Sequence, residues 1–473
     1  MLAVIGGLLG VALAPLLTRA LIAVYPNSLP RAEEIGVDGR VLLVAALATI
    51  VAGILSSLPT ARRAGRLDLV ADLRDAGRTG TGRDDRRVGR ALIVSQVAAS
   101  LALLFAAGLL LQTFWRLTRV GPGFEAANVT TFHVYAPNAR YGKRAAVNQY
   151  YDAATESLRA IPGVDEVSSS TIVPFVNDRF NDVFIQEELG DKGPRNPSAS
   201  IGFIAPGFER ALGLQVLSGR TFTASDDSAS APVVMINNAL AKRNYPGVDP
   251  VGRFIEWQGK KHWQIVGVVA STHLDNLWDV PAPVLYATTA QFTRRSRFFF
   301  VRSRLPSDQV LAAAHIALHK VDATIALTDP MTMHERIDAS LGAQRFRAAL
   351  MATLGALALA LAIIGIYGVV AYTVTRRTRE IGIRMALGEA AHEVRRRVVG
   401  DTLRVASVGI VAGVALALFA GKWLTVFLVD VSPYDVRLLG GAAVALATVV
   451  SAAAYGPARR AARVDPMTAL RAE

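Results

Sequence analysis

At 473 residues, with 52% hydrophobic and 19% charged residues and a mean hydropathy of +0.34, the chain is too apolar for a string of soluble domains and reads as a membrane protein. Cysteine is absent, which excludes disulfide staples and thiolate metal centres. The net charge of +13 would suit nucleic acid, but ten of those charges lie in three arginine-rich segments beside apolar runs, where lipid headgroups explain them and no nucleic-acid partner is needed.

Six uncharged windows are near or above the roughly 20 residues that cross hydrocarbon. They are Leu2–Thr18, Val41–Thr60, Ala91–Thr113, Ala348–Thr375, Val405–Gly421 and Leu438–Ala458. The shorter ones would also suit buried core helices, but Ala348–Thr375 runs 28 residues without a charge. Met1 leads straight into apolar sequence, with no basic segment of the kind that opens a cleavable signal peptide. The three basic segments, Pro59–Arg90, Arg376–Arg404 and the tail after Pro457, hold 21 Arg against 11 acids. The alternate connections, Val24–Arg40 and Val429–Arg437, each carry one more acid than base. Basic loops stay inside, so six spans are expected to alternate with both termini cytoplasmic and the long segment after Gln112 outside.

A shift of 397 positions lays ARRAGRLDLVADLR (61–74) on ARRAARVDPMTALR (458–471), and GVALA recurs at 10–14 and 413–417. Spans one and two therefore read as a copy of spans five and six, and the chain is expected to open partway through a repeat unit. The repeat aligns Gly6 with Gly409. Gly6 and Gly10, like Gly409 and Gly413, are spaced for close helix packing, against the alternative of chance in Gly-rich apolar sequence. Trp115 and Trp423 sit where interfacial anchors belong, and Arg19 and Lys422 where cations snorkel outward.

The outside segment mixes periods. Asn128–Tyr135 alternates as a strand does, and Arg144–Arg159 has helical spacing with Tyr150, Ala154 and Leu158 on one side. Val233–Ile236, Trp263–Val269 and Phe298–Val301 are further strand candidates, and Pro306–Lys320 looks helical. An α+β domain is the simplest reading. Its loops carry turn signals at 223–232 and 245–252.

Reactive constellations are sparse. GxxxxGK[ST] does not occur, so no phosphate loop is present to cradle ATP. His315 and His319 share a helical face without a third ligand, and His334–Glu335 lacks the second histidine of HExxH. No GxSxG elbow marks a hydrolase nucleophile. Asp226 and Asp227 suit a solvated turn better than a cation site. Catalytic, cofactor-binding and metal-ligating residues are therefore all expected to be absent.

The segment RRTREIGIRMALGE (376–389) follows the longest uncharged run. On a helix, Ile381 and Met385 lie on one edge, Ile383 and Leu387 on nearly the opposite edge, and Glu380 and Arg384 form an i,i+4 pair. Its alternation describes a strand equally well, and a solvated juxtamembrane turn is the plainer alternative.

Together with SPYD (432–435), the closing PARRAARVDPMTALRAE, GLQVLSGRTFTASDD (213–227), INNALAKRNYPGVDPVGRFI (236–255) and TMHERIDASLGAQRF (332–346), this segment resembles the permeases of MacB/FtsX-type ABC transporters. The repeat, its second copy opening at RVGRALIVSQVAASLALLFAAGLLLQTFWRL, is similar to duplicated permeases with two units in one polypeptide. The resemblance implies an α-helical membrane protein with six transmembrane helices and an α+β extracytoplasmic MacB-like domain. It divides the chain into residues 1–60, the last two helices of an incomplete first repeat, and 61–90, an Arg-rich cytoplasmic linker. There follow a transmembrane helix at 91–114, the extracytoplasmic domain at 115–345, and an FtsX-like region at 346–473 with coupling segment 376–397.

The implied function is mechanotransmission in the bacterial inner membrane. A separate ABC ATPase binds the ATP and docks on the coupling segment, through Arg379, Glu380, Ile381, Ile383, Arg384, Met385, Leu387 and Gly388. This chain carries no cofactor of its own. Expected partners besides the ATPase are membrane lipids and a second permease copy or a missing first half. The competing reading is a membrane-anchored extracytoplasmic sensor or scaffold without transport activity.

Overall fold

The computed structural model describes residues 2–24, 38–64, 82–176, 180–186, 198–257, 260–429 and 431–463. The chain divides into two compact units, Met1–Thr118 with Gly342–Glu473, and Arg119–Leu341. Residues 65–81, the centre of the expected linker, and the tail from 464 lie outside the described residues.

The first unit opens with α1 (Leu2–Val24) and α2 (Gly39–Ala64), which pack on each other. Asp38 starts α2 by accepting the Val41 amide at 2.9 Å, one of the donors a helix start leaves orphaned. α3 (Gly82–Leu117) follows.

The second unit is α+β. Its elements run β1 (Val129–Tyr135), α4 (Arg144–Arg159), β2 (Val164–Ser170), β3 (Phe180–Gln186), β4 (Ser198–Ile204), α5 (Phe208–Leu212), β5 (Val216–Gly219) and β6 (Val233–Asn237). They continue as α6 (Asn238–Asn244), β7 (Phe254–Trp257), β8 (Lys260–Val269), β9 (Val284–Thr288), β10 (Ser296–Ser303), α7 (Ser307–Val321), β11 (Leu327–Thr332) and α8 (Met333–Ser340). The strands form two connected parts. One is the antiparallel run β11-β1-β10-β2. The other is a ring, β4-β3-β7-β8-β6-β9, closed by parallel pairing of β9 with β4 and joined to the run at Ser170–Ile204.

Alternation along the strands sets the cores. Phe299 and Val301 of β10 point to the layer where Tyr151 of α4 and Val310 and Leu318 of α7 pack, while Phe298 and Phe300 point to the opposite face. Inside the ring, Ile201, Phe203, Val234, Trp257, Trp263 and Leu285 are buried together. Each strand expected from sequence forms, and α4 and α7 take the expected helical stretches, with Pro306 as the cap of α7.

The first unit resumes with α9 (Gly342–Arg376), α10 (Thr378–Ala386), α11 (Ala391–Leu424) and α12 (Val436–Ala461). Around one core α3, α9, α11 and α12 bury Val97, Leu101, Ile366, Ala406, Leu446 and Val450. Leu361, Ile364, Val411, Phe419 and Val444 face outward, an arrangement that suits lipid and not water. Among the described residues four helical stretches are long and apolar enough to cross a membrane: Arg87–Leu117, Gly342–Arg376, Ala391–Phe427 and Val436–Ala461. Val4–Leu16 and Gly39–Val51 are apolar but shorter.

Candidate coupling site

The end of α9 explains why a long apolar run stops at an arginine cluster. The Thr378 hydroxyl turns back on the Val374 and Thr375 carbonyls at 3.2 and 2.8 Å. Arg377 leaves helical geometry (φ −103°, ψ 8°), and the chain restarts as the separate short helix α10. α10 ends in a Schellman turn: Gly388 takes φ +99°, its amide donates to Met385, and the Glu389 amide donates to Arg384. Only glycine adopts that φ without strain, so GE at 388–389 is the stop signal.

The alternating IGIRM stretch is thus helical, and its two edges differ. Ile381 and Met385 are half-buried and Gly382 is buried, whereas Ile383 is 41% and Leu387 83% exposed. Glu380 and Arg384 pair at 2.8 Å, and Glu389 pairs with Arg397 of α11 at 2.9 Å. The latter ion pair straps the turn after α10 to α11. Arg379 belongs to α10, but its side chain lies outside the described residues. A cavity of about 580 Å³ lies between α10 and the adjoining ends of α3, α9 and α11.

Two of the four packing glycines occupy close helix crossings. A Cβ on Gly409 would fall 2.8 Å from the Cβ of Val97, and one on Gly413 would fall 3.0 Å from the Cα of Ala98. Backbone meets backbone there, as a small-xxx-small face permits. Gly6 and Gly10 depart from the expectation: among the described residues nothing lies within 4 Å of a Cβ at either, and in α1 it is Gly7 that closes on a neighbour, Thr49, at 2.6 Å. The reason is the partner helix. Gly409 and Gly413 face α3, whereas α1 turns its next residue toward α2. Polar groups also fasten the bundle: the Gln96 amide donates to the Leu361 carbonyl, and the Ser100 hydroxyl to that of Ala358 at 3.1 Å.

In the second unit the singled-out residues take structural positions. Asp226 is buried and accepts both Arg220 guanidinium nitrogens at 2.8 Å; these bonds, outweighing burial, with help from Thr223, hold its carboxyl below the usual range. Asp227 caps its own turn by accepting the Ala229 and Ser230 amides. Glu335 and Thr332 form a reciprocal capping box at the start of α8. His315 and His319 stack 6.0 Å apart on an exposed face. Sequence reasoning passed over Arg336, which is buried and bonds to the Thr131 hydroxyl at 2.7 Å and the Asp329 carboxylate at 2.9 Å. Its signal was a charge on the inward side of a short amphipathic helix.

Comparison with known proteins matches the same two regions. The family model described as MacB-like periplasmic core domain matches residues 90–320, and that described as FtsX-like permease C-terminal matches 352–466. The chain belongs to the MacB/FtsX-type ABC permeases. The permease is 28% identical over 339 residues to the pyoverdine export ATP-binding/permease protein PvdT of Pseudomonas fluorescens (strain Pf0-1), covering 68% of this chain and 51% of that one. It is 25% identical over 274 residues to the macrolide export ATP-binding/permease protein MacB of Mannheimia succiniciproducens, covering 55% and 41%. The permease thus spans about half the length of the curated relatives it matches. The periplasmic region of MacB from Actinobacillus actinomycetemcomitans matches with a TM-score of 0.32 at 15% identity, covering 46% of this chain and 95% of that one.

Proposed function

We propose that this permease is the non-catalytic membrane subunit of an export or efflux transporter, in which a separate ABC ATPase drives motion of the extracytoplasmic unit. The observation that carries the reading is the apolar outer edge of α10. Ile383 and Leu387 are exposed on a short helix whose opposite edge, Ile381 and Met385, is half-buried, which suits a partner surface. Gly388 and the Glu389–Arg397 pair fix the helix at its end, so a push on that edge reaches α9 and α11. α9 begins at Gly342, directly after the external unit ends at Leu341, and runs unbroken to Arg376. One continuous helix therefore leads in sequence from the external unit to the coupling segment.

The topology belongs to the same proposal: six spans with both termini cytoplasmic in a bacterial inner membrane, the first two from a further repeat. Partners are the ATPase, lipids and a second permease unit. The curated relatives are named for exporting pyoverdine and macrolides, and export is carried over from them as a class of activity without a cargo. Co-purification tests it. The permease should retain an ABC ATPase from its native membrane, and Ile383→Asp with Leu387→Asp should lose it while inserting normally, since a carboxylate buried unpaired at an interface costs about 3–5 kcal/mol. Equal recovery would favour a sensor or scaffold without ATP-driven work.

A further inference from the structure

The cavity beneath α10 has a chemical character that ATPase docking does not use. Five arginines line it, Arg90, Arg376, Arg377, Arg384 and Arg397, against three acids, Glu380, Glu389 and Asp401. Each acid sits beside an arginine, Glu380 with Arg384, Glu389 with Arg397 and Asp401 with Arg404 at 3.1 Å, while the buried Oε1 of Glu389 still lacks a hydrogen bond among the described residues. The remaining charge is positive. Arg377 sharpens the point, because its Nε is buried and has no hydrogen-bond partner among the described residues. A buried guanidinium N–H without an acceptor is costly, and an anion would satisfy it. Apart from Tyr372, Thr373 and Thr402 the rest of the wall is apolar, with Val369, Val374, Val398 and Val405 half-buried and Leu92 more than half exposed.

A wall that is cationic at one place and mostly aliphatic elsewhere, at the end of membrane-spanning helices, suits one chemistry. We propose that this cavity binds an anionic phospholipid, its phosphate held by Arg90 and Arg377 and its acyl chain lying along Leu92 and the valines. A free inorganic anion would leave the valines uncovered, and a zwitterionic lipid would bring its own cation to the arginines. The bound lipid would wedge the joint between α9 and α10, so that anionic lipid content sets the stiffness of the coupling segment. The inference rests on the membrane reading of the spans and not on ATPase docking, because lipid retention is read with no ATPase present.

Native mass spectrometry of the full chain, partly delipidated in detergent and then offered phosphatidylglycerol, phosphatidylcholine or inorganic phosphate separately, is the test. The wild type should keep one phosphatidylglycerol in preference to phosphatidylcholine. Arg90→Gln with Arg377→Gln should weaken that preference about fivefold per arginine, while Arg396→Gln, an exposed charge outside the cavity lining, should not. Preference unchanged in the double variant, or phosphate retained with no preference among lipids, would overturn the proposal. A photoactivatable phosphatidylglycerol on the wild type needs no variant. Labelling within residues 88–93 or 369–377 supports the site, and labelling confined elsewhere refutes it.

Discussion

Gly409 and Val97 stand so close that a Cβ on the glycine would lie 2.8 Å from that of the valine, so α11 and α3 touch through backbone. Gly409→Val should force the helices apart and destabilise the bundle by about 1–3 kcal/mol, as overpacking does. Gly10→Ala, with nothing within 4 Å among the described residues, should leave the melt unchanged or slightly raised. Thermal melting of the detergent-purified chain compares the two. Equal losses would mean that α11 does not depend on this crossing.

Arg336 is buried in the external unit, and its bonds tie α8 to β1 and to Asp329 of β11, where φ is +49°. Arg336→Met removes the charge with little volume change, yet leaves Asp329 and Thr131 without their partner. A loss of about 3 kcal/mol is expected, the low end for breaking a buried pair, since Asp329 is half-exposed. Denaturant unfolding of residues 119–341 measures it. A change below about 0.5 kcal/mol would show that water replaces the guanidinium.

The pH response of the same fragment follows from Asp226. Its carboxyl is held below the usual range by Arg220, so the ionised pair stabilises the fold above the unfolded pKa of about 4. That contribution is lost as pH falls through the depressed folded value. Asp226→Asn should lower stability by about 1–2 kcal/mol at pH 7, discounted for the half-exposed Arg220, and the gap should close well below pH 4. A gap independent of pH would assign the loss to packing.

Orientation is read with single cysteines, for which the cysteine-free sequence leaves no competing thiol. A cysteine at Val280, 89% exposed on the external unit, should react with an impermeant thiol reagent in intact cells. One at Ala390, after the coupling helix, should react only after lysis. The reverse pattern would invert the topology drawn from the arginine-rich loops.

Where local pattern governs, the sequence was readable. Arg144–Arg159 forms as a helix over those residues because Val147, Tyr150, Tyr151, Ala154 and Leu158 make one buried stripe. The ring in the external unit was not readable, since it closes through parallel pairing of Ser200–Ile204 with Val284–Thr288, more than 80 residues apart. Ile381 to Met385 stayed ambiguous because alternation suits strand and helix alike; the turn at Gly388 and the strap from Glu389 to Arg397 decide it. In the glycine pairs, motif spacing was shared but the partner was not, so among the described residues Gly409 packs where Gly6 does not. The arginine-lined cavity joins Arg90 to Arg377 across 287 positions, a juxtaposition that only the folded bundle creates.

Contact between the outer edge of α10 and an ATPase is read by photo-cross-linking. A photoreactive residue at Leu387, expressed with the full chain in its native membrane, should give an adduct containing an ABC ATPase. The same residue at Leu361, which faces outward from the middle of α9, should give lipid adducts and no ATPase. An ATPase adduct from Leu387 alone is the predicted result. No adduct at Leu387, or the same adduct from both positions, would mean that this edge of α10 is not where the ATPase docks.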